Sequence, residues 1–291
     1  LGAARKALSL PAIKVLTIKG IAGIGKTTLA AKIASELSGQ RVFWYSAKPW
    51  DTSRNLADVL AKFFFDNGNR KLSSYLVSGK FELGELSFLL NEELGENGYA
   101  FVFDDADVLE SLQEFLKVLK HSSGSAKIIV TSGSSPKFYE RSDVVAKKEV
   151  VEIELGGLDR KAALQLLKAR GIEGPIAEEL VRTTNGHPLS LEMVTEASPT
   201  EARHQVARFF EEKFYSALAE EEKSLLQLAS VFQKPFPLDA IPRELRQAKK
   251  GSMLREVAPG RFEIHASLRS FVYDSMTREE RHNPDILNGS R

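Results

Sequence analysis

Short, strongly apolar runs alternate with amphipathic segments along the first half of the chain. Three of the runs are apolar almost throughout, as expected for parallel strands that are covered on both faces. The predicted strands are Val15–Lys19, Arg41–Ser46, Tyr99–Phe103, Lys127–Ser132 and Glu149–Leu155, and the predicted helices are Lys26–Leu37, Ser53–Phe65 and Asp107–Lys120. This alternation predicts an α/β domain with a parallel, doubly wound sheet over residues 1–155.

The strand pattern stops near Gly156, and helical signals replace it. Asp159 is a suitable N-cap for one helix, a second helix follows Pro175, and the sequence Asn185-Gly186-His187-Pro188 separates the second helix from a third. These signals predict a small helical domain over residues 156–200.

The last part of the chain, residues 201–291, has the element order of a winged-helix domain. Helical patterns run to Ala219 and then over Glu220–Phe232. Two short apolar runs follow, separated by Ala258-Pro259-Gly260 as in a hairpin, and Ser267–Met276 is the predicted closing helix.

Composition narrows the class of protein. The 291 residues carry 40 Lys and Arg against 39 Asp and Glu, and they include no cysteine. Disulfides, zinc ribbons, iron–sulfur clusters and thiol catalysis are therefore excluded. The longest charge-free stretch, Ser224–Gln233, has ten residues, whereas a membrane-spanning helix needs about 20. Because no signal peptide is visible either, we expect a cytoplasmic protein without a membrane partner.

A glycine-rich loop after the first predicted strand is the strongest chemical signal. Gly20–Thr28 reads GIAGIGKTT, which fits the phosphate-binding pattern G-x-x-x-x-G-K-[ST] and opens an amphipathic helix. In this pattern the lysine reaches the β- and γ-phosphates, and the next hydroxyl ligates Mg²⁺. The expected nucleotide-binding residues are Gly20, Ala22, Gly23, Ile24, Gly25, Lys26, Thr27 and Thr28, with Lys26 also catalytic and Thr27 also a metal ligand.

Acidic residues follow the buried strand FVFDDAD, Phe101–Asp107. The carboxyl edge of an α/β sheet is where such proteins bind ligands, so we expect Asp104 to hold the Mg²⁺ ion. Asp105 is placed either to orient or deprotonate the attacking water or to cap the following helix, and Asp107 is the better cap. The next strand ends in Thr131-Ser132, which either presents a hydroxyl to the γ-phosphate, with Ser132 as the expected site residue, or is a plain strand end.

These motifs, together with NGHPLSLE and FEIHASLRSF, resemble the STAND class of signal-transduction ATPases (the NB-ARC, NACHT and prokaryotic regulator relatives) over about Val15–Met276. The resemblance implies ATP and ADP as the nucleotides, with Mg²⁺. It implies that Pro188 lies against the nucleotide and that His265 contacts the β-phosphate of ADP. It also implies a slow regulatory ATPase, in which ADP holds the winged helix closed and ATP favours an open state able to form a homo-oligomer.

The chain departs from the family pattern in three places. Gly133 stands where the family often has the sensor arginine, for which Arg141 is a weak substitute, and Ala266 stands where many members have aspartate. The family's adenine-binding motif and an effector domain would lie before Leu1, and sensor repeats would lie after Arg291. The resemblance, and a start at leucine instead of methionine, therefore suggest that the chain is the central module of a longer polypeptide whose effector and sensor domains are its partners.

The alternative is a DNA-binding ATPase of the AAA+ origin-recognition type, which joins similar domains. Pro242–Lys250 would occupy the recognition-helix position and carries a basic stripe of four side chains. A solvated helix face explains the same stripe. Residues 201–291 carry 15 Lys and Arg against 14 Asp and Glu, so DNA is the less favoured partner. A small-molecule kinase is a third class, but nothing after the glycine-rich loop resembles an acceptor pocket.

Overall fold

The computed structural model describes residues 1–37, 39–48, 51–79, 81–94, 98–106, 110–193, 211, 215–232, 234–246, 254–264 and 266–276. The chain divides into two compact units, Leu1–Leu155 and Gly156–Arg291. Within the described ranges, no helix combines the length and the apolar character that crossing a bilayer requires.

A five-stranded parallel sheet forms the centre of the first unit. Its strands are β1 (Val15–Lys19), β2 (Arg41–Ser46), β3 (Tyr99–Asp104), β4 (Lys127–Ser132) and β5 (Val150–Glu154). They are arranged in the order β2-β3-β4-β1-β5, and every neighbouring pair is parallel. The predicted α/β sheet is confirmed, with strand ends that differ from the prediction by at most one residue.

Helices cover both faces of this sheet. They are α1 (Gly2–Leu8), α2 (Lys26–Ala34), α3 (Ser53–Asp66), α4 (Lys71–Val77), α5 (Leu83–Leu94), α6 (Glu110–Ser122) and α7 (Arg141–Val145). Helices α2, α3 and α6 correspond to predicted helices, although residues 107–109 of the third prediction lie outside the described residues. The pattern of apolar positions does not predict α1, α4, α5 or α7.

The alternation of side chains along each strand divides the core into two layers. On one face, Phe101 of β3 and Val130 of β4 pack with α3, α5 and α6. On the other face, Val102 of β3 and Ile129 of β4 pack with α1 and α2. Because both faces are covered, every residue of β3 and β4 is buried, which explains the unbroken apolar runs Tyr99–Phe103 and Ile128–Val130.

The second unit is mainly helical and carries a small antiparallel sheet. Its helices are α8 (Arg160–Ala169), α9 (Pro175–Thr184), α10 (Pro188–Met193), α11 (Glu220–Val231) and α12 (Ala266–Ser275), and its strands are β6 (Phe236–Pro237), β7 (Leu254–Ala258) and β8 (Arg261–Ile264). The strand order is β6-β8-β7. The Asp159 side chain caps α8 by accepting a hydrogen bond from the Ala162 N–H at 2.8 Å, and Pro175 lies in the first turn of α9.

One apolar cluster joins the helices and the small sheet of the second unit. It includes Leu167 of α8, Leu191 of α10, Leu226 of α11 and Phe262 of β8. The predicted domain boundary near residue 200 lies outside the described residues and stays a prediction. Of the predicted helix that runs to Ala219, the structure describes little beyond a 3₁₀ turn at Tyr215–Ala217.

The basic segment of the alternative hypothesis is described only in part. Residues Arg243–Arg246 form a 3₁₀ helix, and residues 247–250 lie outside the described residues. Within the described part of this segment, residues 242–246, the α-helical periodicity assumed for the basic stripe is therefore absent.

Candidate functional site

The glycine-rich loop connects the end of β1 to the start of α2. Three of its residues have positive φ angles, 150° at Gly20, 72° at Gly23 and 98° at Gly25, a region that other residue types rarely adopt. A Cβ atom at Gly20 would lie 2.9 Å from Ile24 Cγ2 and 3.1 Å from the Leu155 carbonyl oxygen, whereas one at Gly25 would meet no described atom within 4 Å. The loop is thus packed at its beginning and open where the helix begins.

The open end of the loop exposes the first turn of α2. The N–H groups of a first helical turn have no acceptor within the helix, and the helix dipole adds partial positive charge there. Ala22, Thr27 and Thr28 are exposed at this point, while Ile24 is buried beneath the loop. This arrangement suits a phosphate group.

Lys26 is the first residue of α2, and its side chain is folded over the loop. The residue is only 8% exposed, and Nζ donates a hydrogen bond to the Ile21 carbonyl oxygen at 3.2 Å. An ammonium group held by a neutral carbonyl can exchange it for a phosphate oxygen, because a charged acceptor makes the stronger hydrogen bond.

The Thr27 hydroxyl faces the end of strand β3. It donates to the carboxylate of Asp104, with distances of 2.9 Å to Oδ1 and 3.1 Å to Oδ2. Asp104 is the last residue of β3, and it is 6% exposed. The structure therefore brings the two predicted metal ligands together.

Thr131 completes this cluster and was not among the predicted site residues. Its hydroxyl donates to Asp104 Oδ1 at 2.6 Å and accepts a hydrogen bond from the Asp105 N–H at 2.9 Å. Side chains alternate along β3 and β4, so Asp104 and Thr131 share the face of Val102 and Ile129, against which α2 packs. Alternation within each strand does not identify Thr131 by itself, because its position beside Asp104 follows from the register that sets Val102 opposite Ile129.

Asp105 follows directly after the strand. It has a φ angle of 55° and is exposed, so the chain turns sharply after Asp104 while the Asp105 side chain stays accessible to solvent. The predicted alternatives for Asp105, a role in hydrolysis or a helix cap, stay open. The predicted cap Asp107 lies outside the described residues.

Ser132 lies on the opposite face of the sheet from Thr131. It is fully buried, and its hydroxyl accepts a hydrogen bond from the Ser134 N–H at 3.3 Å. The hydroxyl that contacts the Thr27–Asp104 pair is therefore that of Thr131, and a phosphate role for Ser132 stays a prediction. Arg141, the weak substitute for the sensor arginine, is exposed at the start of α7.

A polar network surrounds the last residue of β1, next to the glycine-rich loop. Lys19 Nζ lies 2.9 Å from Ser135 Oγ and 2.9 Å from Glu152 Oε2, and the Tyr139 hydroxyl donates to Glu152 Oε1 at 2.6 Å. Burial and the neighbouring Glu152 carboxylate together raise the pKa of Tyr139, so this phenol stays a hydrogen-bond donor. The network ties the segment after β4 to the end of β1.

The donor set of this site fits a magnesium–nucleotide complex. Mg²⁺ usually keeps several water ligands and takes one or two protein ligands together with phosphate oxygens. The Thr27 hydroxyl and the Asp104 carboxylate meet that requirement. A cluster of three or more acidic or histidine side chains, which would hold a metal without phosphate, is absent from the described residues.

The other predicted nucleotide-binding residues belong to the second unit. Pro188 is the first residue of α10 and is half-buried. The preceding His187 is fully buried, with Nδ1 at 3.2 Å from the Ser190 N–H nitrogen and 3.0 Å from Ser190 Oγ. His265 lies outside the described residues, so its predicted contact with ADP stays a prediction.

Two solved structures align with the chain. A Signal Transduction ATPase with Numerous Domains (STAND) protein with a tetratricopeptide repeat sensor, from Pyrococcus horikoshii, matches 94% of this chain and 42% of its own, with a TM-score of 0.52 and 25% identity. The resemblance to STAND ATPases is thereby confirmed. Drosophila ORC bound to AT-rich DNA and Cdc6 aligns over 94% of this chain and 90% of its own, with a TM-score of 0.40 and 12% identity. That second alignment is too weak to carry an inference.

An uncharacterized WD repeat-containing protein from Nostoc sp. is 25% identical over 228 residues, which are 68% of this chain. The chain spans 17% of that relative and 42% of the Pyrococcus protein. A family model described as an AAA domain matches residues 12–162, a range that includes the glycine-rich loop, Asp104 and Thr131. Because this match covers more than half of the 291 residues, the chain belongs to the AAA domain family of P-loop ATPases.

Proposed function

We propose that the chain is a nucleotide-dependent switch that binds ATP and ADP with Mg²⁺ and hydrolyses ATP slowly. The observation that carries this proposal is the hydrogen bond from the Thr27 hydroxyl to the Asp104 carboxylate, at 2.9 Å, beside the open N-terminus of α2. The start of α2 and a carboxylate at the end of β3 supply the kinds of group that bind the phosphates and the metal ion in P-loop ATPases.

On this proposal, each site residue of the first unit has a defined task. The N–H groups at the start of α2 bind phosphate oxygens, and Lys26 exchanges the Ile21 carbonyl for a phosphate oxygen. Thr27 and Asp104 hold the magnesium ion, which neutralises charge on the phosphates when it is bound. Thr131 orients the Asp104 carboxylate, and Asp105 is the candidate to orient the attacking water because it is exposed beside this site.

The second unit supplies the switch. We propose that residues 201–291 form a winged-helix domain, supported by the order of α11, the β7–β8 hairpin and α12. Pro188 and His265 would close over ADP, and exchange for ATP would change the His265 contact and favour an open, oligomer-competent state. A nucleotide shifts such an equilibrium only by its different affinity for the two states. One polar contact to a charged group contributes roughly 1.5–3 kcal/mol, enough to invert a nearly balanced population.

Partner domains are proposed from the relatives. The Pyrococcus protein has a tetratricopeptide repeat sensor and the Nostoc protein has WD repeats. We propose that this chain likewise works beside a sensor domain made of repeats and a separate effector domain of the same polypeptide. Both would respond to the state of the nucleotide.

DNA binding remains the less favoured function. Within the basic segment, the Arg246 guanidinium donates to the Ile241 carbonyl oxygen at 2.8 Å and to the Asp239 carbonyl oxygen at 3.2 Å. A side chain that supports its own backbone in this way is a poor anchor for a DNA phosphate. DNA binding with a steep dependence on salt concentration would reverse this preference.

The nucleotide site is tested by measuring the affinity of the purified chain for fluorescent ADP and ATP. Lys26→Ala removes the ammonium group and should weaken binding by at least about tenfold, since bonds to charged groups contribute roughly 1.5–3 kcal/mol. Lys32→Ala is the matched control, because Lys32 lies on the same helix with a side chain that is 59% exposed. Equal affinities for the two variants would contradict the proposal.

A further inference from the structure

We infer that Gln113 is a positioning residue for ATP hydrolysis, because its side chain ties the turn that carries Asp105 to the segment after β4. The inference rests on the proposed role of Asp105 in orienting the attacking water. Gln113 lies near the start of α6, within the first unit. It belongs neither to the phosphate-binding motif nor to the proposed magnesium ligands.

The side-chain amide of Gln113 is hydrogen-bonded at both ends. Nε2 donates to the Ala106 carbonyl oxygen at 2.8 Å, and Oε1 accepts the Lys137 N–H at 2.8 Å. A carbonyl on one side and an N–H on the other determine which end of the amide is the nitrogen. The residue is only 9% exposed, so little water competes for either bond. We call this link from Ala106 to Lys137 the Gln113 bridge.

The turn that the bridge holds has an uncommon backbone conformation. Asp105 has a φ angle of 55°, and non-glycine residues keep such a conformation only where the surroundings hold it. On one side, the Asp105 N–H donates to the Thr131 hydroxyl at 2.9 Å. On the other side, the Ala106 carbonyl oxygen accepts the Gln113 amide. The exposed Asp105 side chain is therefore aimed by a backbone that is fixed before and after it.

The other end of the bridge is attached to a well-supported segment. Phe138 is 3% exposed and packs in the main core of the first unit. The Tyr139 hydroxyl donates to Glu152 Oε1 of β5 at 2.6 Å. Gln113 thus connects the Asp105 turn to a part of the chain that the core and β5 hold in place.

Gln113→Met tests the bridge with a side chain of nearly the same length. It removes both hydrogen bonds, and losing a buried hydrogen bond that orients a catalytic group should lower ATP turnover by about tenfold. The affinity for Mg-ATP should stay within about twofold of the wild type, because the glycine-rich loop, Thr27 and Asp104 are unchanged. A residue that only stabilises the fold would not separate turnover from affinity in this way.

Ser122→Ala is the matched control. Ser122 is 1% exposed at the other end of α6, and its hydroxyl donates to the Ser87 carbonyl oxygen at 3.1 Å. The control therefore also removes a buried hydrogen bond from this helix, and it should leave both turnover and affinity within about twofold of the wild type. Equal turnover for Gln113→Met and Ser122→Ala would overturn the inference.

A double-mutant cycle with Asp105→Asn separates positioning from general damage. If Gln113 acts through Asp105, Gln113→Met changes turnover by less than about twofold in the Asp105→Asn background. A full effect in both backgrounds would overturn the inference. Unchanged turnover of Asp105→Asn alone would overturn it as well, because Gln113 would then have no catalytic group to position.

Urea unfolding establishes that each variant is folded under the assay conditions. If Gln113→Met does not fold, Gln113→Asn is the second variant. It keeps an amide but is one methylene shorter, so it cannot reach both Ala106 and Lys137. It should lower turnover more than Ser122→Ala does, and equal turnover would again contradict the bridge.

The two proposals fail in different ways. Wild-type chain that does not bind nucleotide, or that binds equally well after Lys26→Ala, contradicts the proposed function. Turnover that depends on Lys26 and Asp105 but is indifferent to Gln113 contradicts only the bridge.

Discussion

The Asp104 carboxylate accepts a hydrogen bond from the Thr131 hydroxyl at 2.6 Å. The same oxygen accepts the Thr27 hydroxyl at 2.9 Å, so strands β3 and β4 and helix α2 meet at one acidic side chain. Two hydroxyl donors hold this carboxylate in one orientation, and preorganisation of that kind is what a metal–phosphate site requires.

Thr131→Val should lower the rate of ATP hydrolysis. Valine has nearly the shape of threonine but lacks the hydroxyl, so Asp104 loses a donor and the Asp105 N–H loses its acceptor. Losing a buried hydrogen bond costs roughly 1–3 kcal/mol, which corresponds to about a 5- to 150-fold lower rate if the full effect falls on the transition state. Steady-state ATPase assays over a series of Mg²⁺ concentrations measure this, and Thr131→Ser should restore most of the activity. A valine variant as active as the serine variant would remove Thr131 from the site.

Asp105→Asn should separate hydrolysis from binding. Asparagine tolerates the left-handed conformation that Asp105 adopts, at a φ angle of 55°, so the backbone after Asp104 is kept. If Asp105 orients the attacking water, the turnover number falls while the affinity for Mg-ATP stays near that of the wild type. Parallel measurements of ATP turnover and fluorescent-nucleotide affinity distinguish the alternatives. Unchanged turnover would leave Asp105 as a structural residue only.

Asp143 should make the first unit sensitive to acid. Burial by itself would raise the pKa of Asp143, but hydrogen bonds from Lys120, the Glu140 N–H and Lys147 outweigh it and lower the pKa below its usual range. The ionised pair therefore stabilises the fold fully above the unfolded-state pKa of about 3.9, and this contribution is lost as the pH falls toward the folded-state value.

Asp143→Asn tests this ion pair. It leaves Lys120, which is 3% exposed, without its charged partner, which should cost roughly 3–5 kcal/mol of unfolding free energy at neutral pH. Urea unfolding at neutral pH and near pH 3 measures both effects, and the variant should lose less stability on acidification than the wild type. Asp58→Asn is the control, because Asp58 is 52% exposed and its pair with Arg54 lies at the surface. Equal losses for the two variants at neutral pH would contradict the buried pair.

The elements that the sequence predicts correctly are those with a local signal. Strand β3 has an almost continuous apolar run, and the glycine-rich loop has a motif of fixed spacing, so both follow from neighbouring residues. Helix α4 has only seven residues, too few for a clear helical period, and was missed together with α5. These helices owe their place to packing of Leu72, Leu86 and Leu90 in the main core.

The part of the site that the sequence did not predict depends on contacts between distant residues. Thr131 reaches Asp104 across 27 positions of the chain, because β3 and β4 end at the same edge of the sheet with these two side chains on the same face. Motif spacing within one strand does not show which side chains of the next strand share that face. The close backbone approach of Gly157 to Gly186 is non-local in the same way, and it is visible only in the folded chain.

The proposed switch is tested most directly by measuring ATP turnover and ADP release on the same purified chain. The account predicts Mg²⁺-dependent turnover well below the roughly 10 s⁻¹ that is typical of enzymes, at a rate limited by the slow release of ADP. Rapid turnover with immediate ADP release would contradict the proposal that the nucleotide state is held as a signal.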